Sequence, residues 1–82
     1  MKKEEIYEEI QKIMLDYLGE LTAKNMSIKS NLQADLGMDS LDILYVVFVI
    51  ENKFEVRITD EEMLRFITVA DMVNAVEAKK NN

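Results

Sequence analysis

The chain has no cysteine, histidine, tryptophan or proline, and only two glycines. Without cysteine and histidine it has no thiol nucleophile, no imidazole base and no usual zinc ligand set, so any thiol chemistry must be borrowed from elsewhere. It also lacks a long apolar run. No window approaches the roughly 18 residues that a helix needs to cross a bilayer, and the opening Met1-Lys2-Lys3-Glu4-Glu5 passes from basic to acidic with no apolar stretch behind it, so a cytoplasmic protein is expected. No repeat, low-complexity tract, proline-rich linker or composition break divides residues 1–82, which read as a single domain. At 82 residues and 49% hydrophobic content, such a domain buries only about 60 to 65% of its unfolded surface, which makes for modest stability.

The formal charge of -6 is unevenly placed. Between Asp35 and Glu62 there are eight acids (Asp35, Asp39, Asp42, Glu51, Glu55, Asp60, Glu61, Glu62) against Lys53 and Arg57, while the remaining residues hold eight acids and eight bases. The imbalance therefore lies in the middle of the chain. It favours basic protein partners and argues against nucleic acid, whose phosphates this surface would repel.

Periodicity predicts an all-α fold, a small four-helix bundle of three longer helices and one short one. From Lys3 to Leu18, Ile6, Ile10, Ile13, Met14, Tyr17 and Leu18 form one face of a helix that Gly19 can end. A long loop follows, to Met38, and a free loop of that length is unusual in a compact domain. It must be pinned, and Ile28, Leu32 and Leu36 recur at a spacing that would dock it, with a helical turn near Leu32. A second long helix runs from Ser40 to about Phe54 and is apolar on two sides. At about 100° per residue, Ile43, Val46, Val47, Ile50 and Phe54 make one stripe, and Leu41, Leu44, Tyr45 and Phe48 another roughly 150° away. The first stripe has the longer run and should face the bundle, turning the second towards solvent. Thr59 with Glu62 forms a capping box for a short helix through Met63, Leu64 and Phe66. Thr68 with Asp71 opens a last helix whose buried face is Val69, Met72, Val73 and Val76. Lys79, Lys80, Asn81 and Asn82 then complement its dipole and fray.

Everything else is arranged around Asp35-Leu36-Gly37-Met38-Asp39-Ser40-Leu41-Asp42. Gly37 frees the backbone, and Asp39 with Asp42 fits the reciprocal N-terminal cap of the helix. Ser40 is thereby left with its hydroxyl outward at the positive end of the helix dipole, among unpaired N–H groups, where a phosphate ester is favoured. The octet closely resembles the attachment site of acyl carrier proteins, whose core pattern is Asp-Leu-Gly-x-Asp-Ser-Leu, and weaker similarity extends over nearly the whole chain. The resemblance implies that Ser40 receives a 4'-phosphopantetheine arm from coenzyme A and that the arm's thiol carries acyl groups as thioesters. It further implies that a separate phosphopantetheinyl transferase supplies the magnesium and the base, so that the chain is a substrate and not an enzyme.

Other readings meet specific obstacles. A serine nucleophile beside Asp39 and Asp42 has no histidine to activate it. The acids of the octet do not alternate as in a helix-loop-helix calcium site, so no dedicated metal site is expected, only weak divalent binding. A non-prosthetic acidic interaction module would explain the two-sided helix but has no need of the whole octet. An aminoacyl or peptidyl carrier would show a different motif around the serine. Beginning at Met1 and ending shortly after the last helix, the chain resembles freestanding carriers. Fatty-acid carriers usually have more acids along the second long helix and often have proline where this chain has Thr59, which favours a dedicated partner set in a fatty-acid, polyketide or related pathway.

On this reading the partners are the transferase and acyl-transferring and condensing enzymes with basic docking patches, and the carrier works as a monomer. The expected docking surface has Leu41, Leu44, Tyr45 and Phe48 at its centre, ringed by Asp39, Asp42, Glu51 and Glu55, with self-association through the same stripe as the competitor. An acyl chain would shelter between the second long helix and the short one, against Val47, Ile50, Phe54, Met63 and Ile67.

Overall fold

The computed structural model describes residues 1–81 and contains, among these, five helices and no strand: α1 (Lys3–Leu18), α2 (Glu20–Ala23), α3 (Ser40–Phe54), α4 (Asp60–Leu64) and α5 (Val69–Lys80). The apolar stripes meet in one core. Ile6, Ile10 and Met14 of α1, Val46 and Ile50 of α3, and Val69, Met72, Val73 and Val76 of α5 are fully enclosed. Burying side chains of this kind is worth roughly 1.5 to 3 kcal/mol each, and that gain sets the helices against one another.

Caps decide where the helices begin. The Asp42 amide donates to Asp39 Oδ1 at 2.9 Å while Asp42 Oδ2 accepts from the Asp39 amide at 3.0 Å, a complete box that starts α3 at Ser40. Thr59 and Glu62 do the same for α4. The cap of α5 is one-sided: the Asp71 carboxylate accepts from the amides of Thr68 and Ile67, and the Thr68 hydroxyl makes no cap bond. At the other end of α1, Gly19 takes φ 91° and its amide donates to the Leu15 carbonyl.

The segment between α1 and α3 differs from the expected loop, pinned with a turn near Leu32, in opening with a further helix. The one-turn helix α2 follows Gly19 directly and buries Ala23. Four residues are too few to carry a helical period, so no pattern could announce it. Beyond α2 the chain is pinned chiefly by its backbone. Asn31 and Thr68 form an isolated antiparallel bridge, the Leu32 amide donates to the Ile67 carbonyl, and the Val69 and Ala70 amides donate to the carbonyls of Ser30 and Ile28. Leu32, Leu36 and Met38 dock in the core, with a turn across Asn31 to Gly37, but Ile28 stays on the surface and contributes only its carbonyl. Asn81 does not fray: its side chain holds the backbone carbonyl and amino group of Met1. Asn82 lies outside the described residues.

Candidate functional site

Ser40 occupies the first position of α3 and is exposed, and the capping work of this helix is done by Asp39 and Asp42. Its hydroxyl has no hydrogen-bond partner among the described residues. Gly37, at φ 66°, turns the chain into this start in a conformation that a side chain would strain, and the buried Met38 anchors the step before the cap. Behind the serine is an open depression of about 140 Å³ lined by Gln33, Ser40, Ile43, Met63, Leu64 and Phe66.

The core stripe of α3, Ile43, Val46, Val47, Ile50 and Phe54, is buried. The opposite side of the helix leaves Leu41 74%, Phe48 62%, Tyr45 50% and Leu44 49% exposed. Tyr45 is partly backed from within the molecule by Tyr17 of α1. Their rings stack with centroids 4.6 Å apart and 26° between planes. The Tyr17 hydroxyl donates to Asp42 Oδ1 at 2.7 Å. This bond is the chief cause that holds the Asp42 carboxyl below its ordinary range and the Tyr17 phenol above its own.

Tyr17 is therefore not the core residue that the spacing of α1 implies. It lies at the edge of that face with its hydroxyl directed at α3, and no signal within α1 could have named Asp42 as its acceptor. Of the other acids around the stripe, Asp39 and Glu55 are exposed, whereas Glu51 is half-buried with Oε2 accepting from the Ile58 amide at 2.8 Å. Along the acyl wall expected from the sequence, Val47, Ile50 and Phe54 are buried and Met63 half-buried, but Ile67 is 62% exposed and is not an inner-wall residue. Its carbonyl accepts from the amide of the buried Leu32, while the residue itself stays at the surface. Gln33, Leu64 and Phe66, which line the depression at Ser40, are not named as site residues from the sequence: Leu64 and Phe66 show there only as part of the short capped helix, and Gln33 lies in a stretch without a motif.

A covalently attached phosphate ester suits this position. Ser40 is exposed, it stands at the positive end of a 15-residue helix, and four of the six residues lining the neighbouring depression are apolar. The family model described as the phosphopantetheine attachment site matches residues 8–76. The chain belongs to the acyl carrier protein family. It is 32% identical over 75 residues to the acyl carrier protein of Campylobacter fetus, spanning 92% of this chain and 96% of that one. To the acyl carrier protein of Clostridium acetobutylicum it is 34% identical over 73 residues, 89% and 94% of the respective lengths. Among solved structures, the acyl carrier protein of Enterococcus faecalis superposes with a TM-score of 0.78 at 25% identity, covering 96% of this chain and 99% of that one. The cofactor of such a carrier is phosphopantetheine, and the carrier itself is not an enzyme. Among the described residues, no helix is long and apolar enough to cross a membrane.

Proposed function

We propose that Ser40 is the attachment residue and that this single-domain carrier delivers acyl intermediates to a dedicated set of enzymes in a fatty-acid, polyketide or related specialised pathway. The observation that carries the reading is the free, exposed hydroxyl of Ser40 at the start of a helix whose cap is already supplied by Asp39. In the reaction, a phosphopantetheinyl transferase binds coenzyme A and magnesium. The Ser40 oxygen forms the new bond to phosphorus, its proton passes to the transferase's base, and the nucleotide part of coenzyme A leaves. When bound, the arm supplies the thiol that this cysteine-free chain lacks, and the thiol holds an acyl group as a thioester.

The remaining site assignments belong to the same proposal. Leu41, Leu44, Tyr45 and Phe48 form the apolar centre of the docking surface, with Asp39, Asp42, Glu51 and Glu55 around it, and partners meet it with basic patches. The acyl chain shelters against Val47, Ile50, Phe54 and Met63, entering by the depression at Ser40. The carrier acts as a monomer in the cytoplasm. The test is intact mass after incubation with coenzyme A, magnesium and a broad-specificity transferase. One arm is expected on the parent chain and none on Ser40→Ala, which remains folded because the hydroxyl supports no contact; label on Ser27 or Ser30 instead would overturn the assignment.

A further inference from the structure

The depression behind Ser40 does not end at its own walls. Three of its lining residues, Gln33, Leu64 and Phe66, also line a second open depression of about 180 Å³, which Asn31 and Ile67 complete. Together the two make one groove that starts at Ser40 and runs between the loop before α3 and the link from α4 to α5. The backbones of these two segments are already paired, the Leu32 amide with the Ile67 carbonyl and the Val69 amide with the Ser30 carbonyl, so what the groove offers a ligand is side chains. The link supplies Leu64, 82% exposed, and Ile67, 62% exposed, with the half-buried Phe66. The loop supplies two primary amides. Asn31 Oδ1 accepts from the Gln33 and Ala34 amides at 2.9 and 2.8 Å, which leaves its Nδ2 without an acceptor among the described residues. Gln33 enters these bonds through its backbone alone, so its side-chain amide is free.

Resting on Ser40 as the attachment residue, we propose that this groove is a resting site for the unloaded phosphopantetheine arm, with the arm's geminal methyls against Leu64 and Ile67 and its amides met by the side chains of Gln33 and Asn31. The tether selects this occupant. A group bonded to Ser40 stands at the mouth of the groove at an effective concentration on the order of millimolar, whatever else is in solution. From phosphorus to sulfur the arm has about as many bonds as four residues of backbone and reaches roughly 14 Å, enough to cross the first depression and enter the second. Its apolar and amide groups answer the two kinds of wall, whereas a wholly apolar ligand would leave the amides of the loop unmatched. The inward route, to Val47, Ile50 and Phe54, is closed by Met63, which lines the depression and is packed against the core. An acyl chain offsets the loss of that contact by burying its own methylenes, and a bare thiol has none to bury. The depression at Ser40 is therefore a fork, outward for the empty arm and inward for the loaded one.

The test compares methyl and side-chain amide spectra of the apo, holo and octanoyl forms, made with a broad-specificity transferase, after intact mass and peptide mapping have located the arm. Arm addition is expected to shift the methyls of Leu64 and Ile67 and the side-chain amide of Gln33, with nuclear Overhauser cross-peaks from the arm's geminal methyls to Leu64 and Ile67. These surface shifts are smaller than those that an octanoyl chain causes at Val47 and Ile50, and the cross-peaks disappear once that chain is loaded. The double variant Leu64→Ser, Ile67→Ser alters two exposed side chains and leaves the core untouched. It should take the arm at Ser40 as the parent does and lose the arm-induced shift at Gln33. Holo spectra that differ from apo only next to Ser40, arm cross-peaks to Val47 or Ile50 in the unloaded form, or a Gln33 shift that survives in the double variant would overturn the resting site, while the mass leaves Ser40 standing as the attachment residue. A parent chain with no arm on Ser40 refutes the attachment reading, and the resting site falls with it.

Discussion

Asp42 holds two donors that reach it from different parts of the chain, the Asp39 amide within its own cap and the Tyr17 hydroxyl from α1. The residue that orders the start of α3 is thus also the one that ties α1 to it. The bond shifts both partners, and the sign of each shift predicts where it fails. The Tyr17 phenol is raised above its ordinary 10.0, first by the bond to Asp42 and then by desolvation and the nearby carboxylates. Its contribution to stability is therefore complete below the unfolded value and is lost as pH rises through the folded one. Asp42 is lowered, so its contribution is present above the unfolded value and is lost as pH falls through the folded one. An alkaline tyrosinate absorbance titration of the parent, minus that of Tyr17→Phe, should isolate a phenol that ionises above the ordinary value. A difference curve centred on the ordinary value would contradict the bond.

Among the helices, α3 and α4 divide the work unequally. The long helix has one face locked in the core and the other in solvent. The short helix has no fully buried residue and is held by its capping box, by the Glu62–Lys79 pair and by Met63, half-buried against the core. Glu62 closes the Thr59 box and pairs with Lys79 of α5 at 3.0 Å, and its carboxyl is held below the ordinary glutamate range, first by the Thr59 amide and next by Lys79. A wall seated this way can part from α3 without opening the core between α1, α3 and α5. In the holo form, adding a medium-length acyl group should shift the methyl and amide signals of Val47, Ile50, Phe54 and Met63, while Ile67, outside the wall, moves less. Shifts restricted to the surroundings of Ser40 would mean that the acyl chain stays in solvent.

For the molecule as a whole, the -6 gathered between Asp35 and Glu62 meets a cation from another element, among the described residues, at Lys79 with Glu62, while Lys53, one of the two bases within the stretch, is drawn to Glu9 of α1. Exposed pairs of this kind contribute only about 0 to 1 kcal/mol each, too little to cancel the repulsion of eight acids. Added salt or divalent cations should therefore raise the melting temperature, and so should neutralising acids within that stretch. Thermal melts in millimolar magnesium at low ionic strength check this; an unchanged or lowered transition would show that the crowding of charge is not limiting.

The sequence by itself determined α1, α3 and α5, the start of α4, the core stripe of α3 and Ser40 as the candidate attachment point. The reason is range: periods, capping boxes and the octet are read among residues no more than a few turns apart, and the helices obey them because their own hydrogen bonds are equally local. Tertiary structure alone decided that Tyr17 would leave the core face to bind Asp42, that the long loop would be tied to the start of α5 through Asn31 and Thr68, and that Ile67 would turn outward. Each of these depends on segments at least 25 residues apart in the chain. Such contacts form only once the packed stripes have set the helices side by side, and a backbone amide or a phenol carries no mark in the sequence of the distant oxygen that will accept its hydrogen.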